Sequence, residues 1–285
     1  MNQLLDDLIK VMTLERLEMN LFRGESRDIG SPQVFGGQVL GQALVAATAT
    51  ADDRVVHSLH AYFLRRGDFK APIVYEVDRA LDGKHFSSRR VVAIQHGRQI
   101  FNMSASFQMP ESGLEHQISM PDVPQPESLR DLESHYRNVA DTLSPAARRI
   151  LEQKRPFEFR PVQEPDEPRR DKSAPLKYIW FRAVDKLPGE EALHRCLLAY
   201  VSDFHLLATA LKPHGISMIS PKLVIASIDH AMWFHHGVRV DEWLLYAIDS
   251  PSASGARGFT RGSVFARDGR LIASAAQEGL IRVAS

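Results

Sequence analysis

A chain of 285 residues has room for one large or two medium domains. Its 44% hydrophobic and 25% charged residues are those of a globular chain, and a formal net charge of zero excludes the basic footprint of a nucleic-acid binder. The single Cys196 excludes a disulfide framework, no apolar run reaches membrane-spanning length, and neither a signal-peptide nor a peroxisomal pattern is visible, which together predict a cytoplasmic protein.

In chain order, residues 3–22 carry Leu4, Leu5, Leu8, Val11, Met12 and Leu17 on one broad face, which predicts a docking helix. Gly36-Gly37 open a second helix over 36–50, apolar nearly all round and therefore buried. Strands are predicted from Val55 to Leu64, at 73–78, and at 90–95 and 99–107, the last two flanking a His96-Gly97-Arg98 hairpin. Residues 110–175 hold ten of the sixteen prolines, which remove backbone donors and interrupt any sheet. This segment reads as a long, surface-packed connection with helices near 127–141 and 145–154. A strand at 177–184, a helix at 190–211 and strands at 222–235, 242–249, 257–266 and 270–281 follow, with Asp268-Gly269 at the last turn.

The second set repeats the first. His60-Ala61-Tyr62-Phe63 and His230-Ala231-Met232-Trp233 stand about 170 residues apart. At nearly the same offset Ile73–Asp78 echoes Leu244–Asp249, Arg89 echoes Arg261, and Gly97-Arg98 echoes Gly269-Arg270. A period this long indicates two copies of one domain-sized unit and not a solenoid. The fold class is α+β: two repeats, each a central helix wrapped by an antiparallel sheet, a double hotdog whose units pair edge to edge. The boundaries are an N-terminal unit over 1–115, a proline-rich linker over 116–175 and a C-terminal unit over 176–285.

Asp203 is the first candidate for chemistry. It falls on the apolar stripe of the second central helix with Cys196, Tyr200, Leu207 and Leu211, and an unpaired buried carboxylate is costly. A purely structural carboxylate is the competing reading. The repeat argues against it: Gly41 aligns with Asp203, His57 with Ser227 and Ala105 with Gln277, so three polar groups mark the second copy alone. Ser227 and Gln277 are otherwise an ordinary strand hydroxyl and a strand-end amide. The histidine-rich segments lack any zinc-ligand spacing, so a structural role is expected for the repeated His-Ala motif and no metal is predicted. No GxSxG elbow, Walker A loop or GxGxxG fingerprint is present.

The stretches Gln33–Gln38, His57–Leu64, Ser227–Phe234 and Ser252–Gly258 closely resemble bacterial acyl-CoA thioesterase II. The resemblance spans nearly the whole chain and is weakest in the linker. It implies a double hotdog that hydrolyses acyl-CoA thioesters, of medium to long acyl chain, to fatty acid and coenzyme A. It implies no metal or nucleotide cofactor and a homo-oligomer, dimer or tetramer. The family's catalytic aspartate maps onto Asp203 and its glutamine onto Gln277. Its threonine position is Ser227, which keeps the hydroxyl and loses the β-methyl that restricts χ1. Gly36 and Gly37 are candidate donors to the thioester oxygen, and Arg257 and Arg261 candidate partners of the CoA phosphates. The alternatives are a hotdog enoyl-CoA hydratase or dehydratase, and a non-catalytic acyl-CoA binding module.

Overall fold

The computed structural model describes residues 2–31, 33–139, 141, 145, 148, 151, 153–163 and 171–284. Two central helices lie against each other inside one long antiparallel sheet. The first, α2 (Gly36–Thr48), follows a short helix α1 (Gln3–Met12). The second is interrupted, as α4 (Glu191–Ser202) and α5 (Leu206–Leu211); α3 (Leu132–Val139) lies between the halves in sequence. Close approach of α2 to α4 depends on glycine: a Cβ on Gly37 would collide with the Tyr200 carbonyl oxygen, and one on Gly41 would stand 3.2 Å from that of Cys196. Burial of each large apolar side chain between helix and sheet contributes about 1.5–3 kcal/mol.

The strands of the first half are β1 (Glu15–Glu18), β2 (Leu21–Gly24), β3 (Val55–Phe63), β4 (Ile73–Asp82), β5 (Phe86–Gln95) and β6 (Arg98–Gln108). Those of the second are β7 (Phe157–Pro161), β8 (Leu176–Ala183), β9 (Leu223–Ser227), β10 (Asp229–Phe234), β11 (Leu244–Ser254), β12 (Arg257–Ala266) and β13 (Leu271–Val283). They form one sheet in the order β1-β2-β4-β5-β6-β3-β10-β13-β12-β11-β8-β7, with β9 also on β13. The halves join where β3 pairs with β10, His230 opposite Ala61 and Ala231 opposite His60. Each unit thereby covers the other's open edge. The double hotdog expected from the repeat is the observed fold.

Five local expectations change. The helix expected over 3–22 stops at Met12, because Thr13 is extended and residues 15–24 form a hairpin whose second strand pairs with β4. The helix expected over 190–211 breaks at 203–205, where His205 takes φ +72°. The strand expected over 222–235 divides at Ile228, whose N–H is held by the Glu278 carbonyl. The connection contributes a strand, β7, which pairs with β8 between Pro156 and Pro161, as proline permits at a strand's ends. The helix expected over 127–141 is a single 3-10 turn at Pro126–Ser128 followed by α3, and much of the one at 145–154 lies outside the described residues. The connection also packs on the outer face of the sheet. Met120, Val123 and Leu129 meet a cluster of Trp180, Trp243, Leu245 and Phe265, and the Trp180 indole N–H donates to the Pro124 carbonyl at 2.9 Å.

Candidate active site

Asp203 closes α4 as its C-cap, and the break that follows turns its carboxylate away from solvent, leaving the side chain 4% exposed. Gln277, on β13 and 1% exposed, reaches it: Nε2 donates to Asp203 Oδ1 at 2.6 Å and to Ser227 Oγ at 3.2 Å. Ser227 ends β9 immediately before the bulge at Ile228. A bulge re-aims the neighbouring side chain, here towards Gln277. The three residues singled out in the sequence, far apart along the chain, therefore converge within hydrogen-bond distance.

A fourth residue completes the network. His230 Nδ1 lies 3.1 Å from Gln277 Nε2 and 3.9 Å from Asp203 Oδ1. Ser202 Oγ has acceptors for its hydrogen in the Ala199 carbonyl at 2.9 Å and Met232 Sδ at 3.2 Å, which leaves its oxygen to receive an N–H from His230 Nε2 at 3.0 Å. In that tautomer Nδ1 faces the Gln277 amide, whose two hydrogens serve three acceptors, Asp203 Oδ1, Ser227 Oγ and His230 Nδ1. Burial lowers the imidazole pKa, against the opposing pull of Asp203, so the ring is neutral. The expectation that the repeated His-Ala motif is merely structural misses this: His230 is completely buried in the network, while His60 is exposed on the outer face beside Trp233.

The strand registers correct the residue-by-residue match of the two copies. Counting from the hairpin glycines Gly97 and Gly269, Phe107 and Gly279 are equally far along β6 and β13. They pair with Val56 and Ser227. Val56, not His57, is thus the counterpart of Ser227; likewise Leu59, which pairs with Ala105, stands where His230 lies beside Gln277. The letters align one residue out of step, and one residue in a strand exchanges its faces. For the same reason Arg89 corresponds to Thr260 and not to Arg261. Arg89 pairs with Ala105 and Thr260 with Gln277, and both are buried.

The network opens into a cavity of about 630 Å³ whose wall includes Gly36, Asp203, Ser227 and Gln277. Its apolar lining comes from Val34 and Phe35, from Leu132 and Leu151 of the connection, and from Met218 and Ile225. The start of α2 meets the site directly: a Cβ on Gly36 would stand 2.8 Å from Asp203 Oδ2. Gly37 instead faces the Tyr200 carbonyl. Arg257 and Arg261 do not line the cavity. Each is an exposed strand residue in an ion pair, with Glu278 at 2.9 Å and Asp249 at 2.5 Å. The cations that do line it include Arg27, Arg66, Lys154 and Arg155, which no sequence motif singled out. Gln277 Oε1, buried in the same wall, has no hydrogen-bond partner among the described residues. No cluster of three metal-ligating side chains occurs among the described residues. Cys196 is buried, which pushes its thiol up to about 12 and leaves it unreactive at neutral pH.

A continuous double hotdog with one buried acid–amide–hydroxyl–imidazole network, open to an apolar cavity, defines a hotdog protein with a site of hydrolytic type. Residues 23–108 match the family model for the acyl-CoA thioesterase N-terminal domain, and residues 147–280 the model for acyl-CoA thioesterase. Acyl-CoA thioesterase 2 of Haemophilus influenzae is 44% identical over 283 residues, covering 99% of each chain. Acyl-coenzyme A thioesterase 8 of Homo sapiens is 43% identical over 96% of this chain and 88% of its own. The crystal structure of acyl-CoA thioesterase II TesB2 from Mycobacterium marinum is similar with a TM-score of 0.79 at 40% identity, over 98% of this chain and 99% of that one. The chain belongs to the acyl-CoA thioesterase family.

Proposed function

We propose that this chain hydrolyses acyl-CoA thioesters to free fatty acid and coenzyme A, with Asp203, Ser227 and Gln277 as the catalytic residues. Hydrolysis needs a positioned water, a base for its proton and donors for the oxygen that becomes negative. Asp203 orients and deprotonates the water. Ser227 and Gln277 fix its angle of attack. The observation that carries this reading is the convergence of the three side chains on one cavity wall, with Gln277 Oε1 buried and unsatisfied there. Such an atom is costly unless something donates to it, and the attacking water does. The water oxygen bonds to the thioester carbon, its proton passes to Asp203, and the C–S bond breaks. The CoA thiolate then leaves and takes up the proton. The first amides of α2, at Gly36 and Gly37, are the orphan donors of a helix start and receive the carbonyl oxygen.

The apolar lining supports an acyl chain in the cavity. A dehydratase reading would need an imidazole facing substrate beside the carboxylate. His205 lines the cavity, but its Nδ1 is held 3.2 Å from Lys177 Nζ and no hydrogen bond joins it to Asp203 among the described residues, while His230 does not line the cavity. We divide the labour between residues 176–285, which carry the network, and residues 1–115, which cover it through α2, joined by 116–175. Exposed Tyr62 and Trp233 on the outer face of the β3–β10 seam support a homo-oligomer, dimer or tetramer. No described helix is long and apolar enough to cross a membrane, and the lone reduced Cys196 suits the cytoplasm. Thiol release from a series of acyl-CoAs tests the activity, and an inert wild-type chain would overturn it. Light scattering after size exclusion tests the assembly, which a monomer would refute.

A further inference from the structure

Two cavities of similar size contain several cations each, and they treat them differently. In the one away from the site, about 660 Å³, each of the main cations has a carboxylate. Arg182 pairs with Glu158, Arg239 and Lys186 with Asp241, Arg267 with Glu127, and Arg270 with Asp268. In the site cavity Arg27, Arg66, Lys154 and Arg155 have no carboxylate partner among the described residues. The only carboxylate in its described lining is Asp203, held by Gln277.

The four come from both halves of the molecule. Arg27 is tied to the first turn of α2, because its backbone N–H donates to Gln38 Oε1 at 2.9 Å; among the described residues its guanidinium reaches only the Leu4 carbonyl, at 3.5 Å. Arg66 follows β3 and is exposed. Lys154 and Arg155 precede β7, and the Arg155 guanidinium lies over the Phe204 ring, 5.3 Å from its centroid, one residue from Asp203. Like charges gathered without counter-charge repel one another, in a chain whose 35 basic and 35 acidic residues balance. Such a group is relieved by an anion of several charges.

We infer that Arg27, Arg66, Lys154 and Arg155 form a rim that holds the phosphates of coenzyme A, the diphosphate and the ribose 3′-phosphate together. This rests on the thioesterase reading. The rim makes the N-terminal unit part of the substrate site, since half of the grip comes from Arg27 and Arg66. Guanidinium and ammonium groups donate charge-assisted hydrogen bonds to phosphate oxygens, and the arginines can do so in pairs. The phosphates take no part in the reaction, so the rim contributes to binding more than to the chemical step.

The test is steady-state hydrolysis of decanoyl-CoA and of decanoyl-pantetheine, which lacks the phosphates, by wild type and by the double variant Arg66→Gln/Lys154→Gln, both sites being exposed. Loss of two charge-assisted contacts is expected to raise KM for decanoyl-CoA about tenfold with kcat within about twofold. KM should depend less steeply on salt. The pantetheine thioester should be turned over as by wild type. An unchanged KM and salt dependence with decanoyl-CoA, or an equal loss on both substrates, overturns the rim. Should the double variant not fold, calorimetric binding of adenosine 3′,5′-bisphosphate to wild type decides. Salt-sensitive binding that competes with decanoyl-CoA supports the rim, and no binding at millimolar concentration overturns it. Wild type that releases no thiol yet binds the bisphosphate would sink the thioesterase reading and leave the rim standing.

Discussion

The two halves follow the same chain path and fill corresponding positions with opposite chemistry. Where the second half places Ser227, His230 and Gln277, the first places Val56, Leu59 and Ala105, all buried and apolar. Gly41, which the helix sequences set opposite Asp203, stands in the contact between the central helices, where a Cβ would lie 3.2 Å from the Cys196 carbonyl oxygen. The second central helix breaks at His205 and frees Asp203 to face the cavity, while α2 runs unbroken from Gly36 to Thr48. One scaffold position thus serves close packing in one copy and a polar site in the other. The first half still matters to the site, because the start of α2 and the two N-terminal cations border the same cavity.

The contrast is broken most severely at Asp203. Asp203→Asn should lower turnover of an acyl-CoA by about 10³-fold, within the range for losing a general base, with an unchanged thermal melt. A variant that hydrolyses at the wild-type rate would dismiss the role. The adjacent glycines separate site from scaffold. Gly36→Ala presses on Asp203 Oδ2 and should cost about 10²-fold in kcat, as a misplaced catalytic group does. Gly37→Ala presses on the Tyr200 backbone instead and should destabilise the fold by about 1–3 kcal/mol in urea unfolding.

Equivalent substitutions in the two strands should have different effects. Ser227→Ala should lower kcat about tenfold through a loosened water, while Ser227→Thr restores a hydroxyl and keeps activity. Val56→Ser in the first half should leave turnover unchanged and cost about 1–3 kcal/mol of stability for an unsatisfied buried hydroxyl. The smallest effect is on pH dependence. Burial holds the folded-state pKa of His230 and His205 below the ordinary 6.5, furthest for His205. The unfolded chain therefore takes up protons first. Stability is full above pH 6.5 and should decline as pH falls below it towards the folded values, which melts at stepped pH will follow. A melting temperature that rises on acidification through this range would contradict the buried, neutral assignment.

Much of the fold was legible because burial imposes period. The apolar body of α2 and the alternation of Ile73, Tyr75 and Val77 could only belong to a buried helix and a half-buried strand. The 15–24 hairpin was not legible, since Leu17 continues the helical spacing of α1 and only pairing of β2 with β4 decides otherwise. Asp203 could be found as a charge on an apolar stripe, although its true setting is a helix end. His230 could not, because its motif occurs twice in the letters. Arg257 and Arg261 misled for a related reason: a strand arginine reads the same whether it faces a cavity or an aspartate.

Composition and period are properties of the chain, and they suffice to show two copies of one helix-and-sheet unit of which the second alone carries the polar groups. Tertiary structure alone decided which residues correspond, which histidine is buried and which cations border the cavity. Those depend on strand register and on a single αL residue. A one-residue bulge or a broken helix turn reverses the direction of a side chain without altering the pattern of apolar residues.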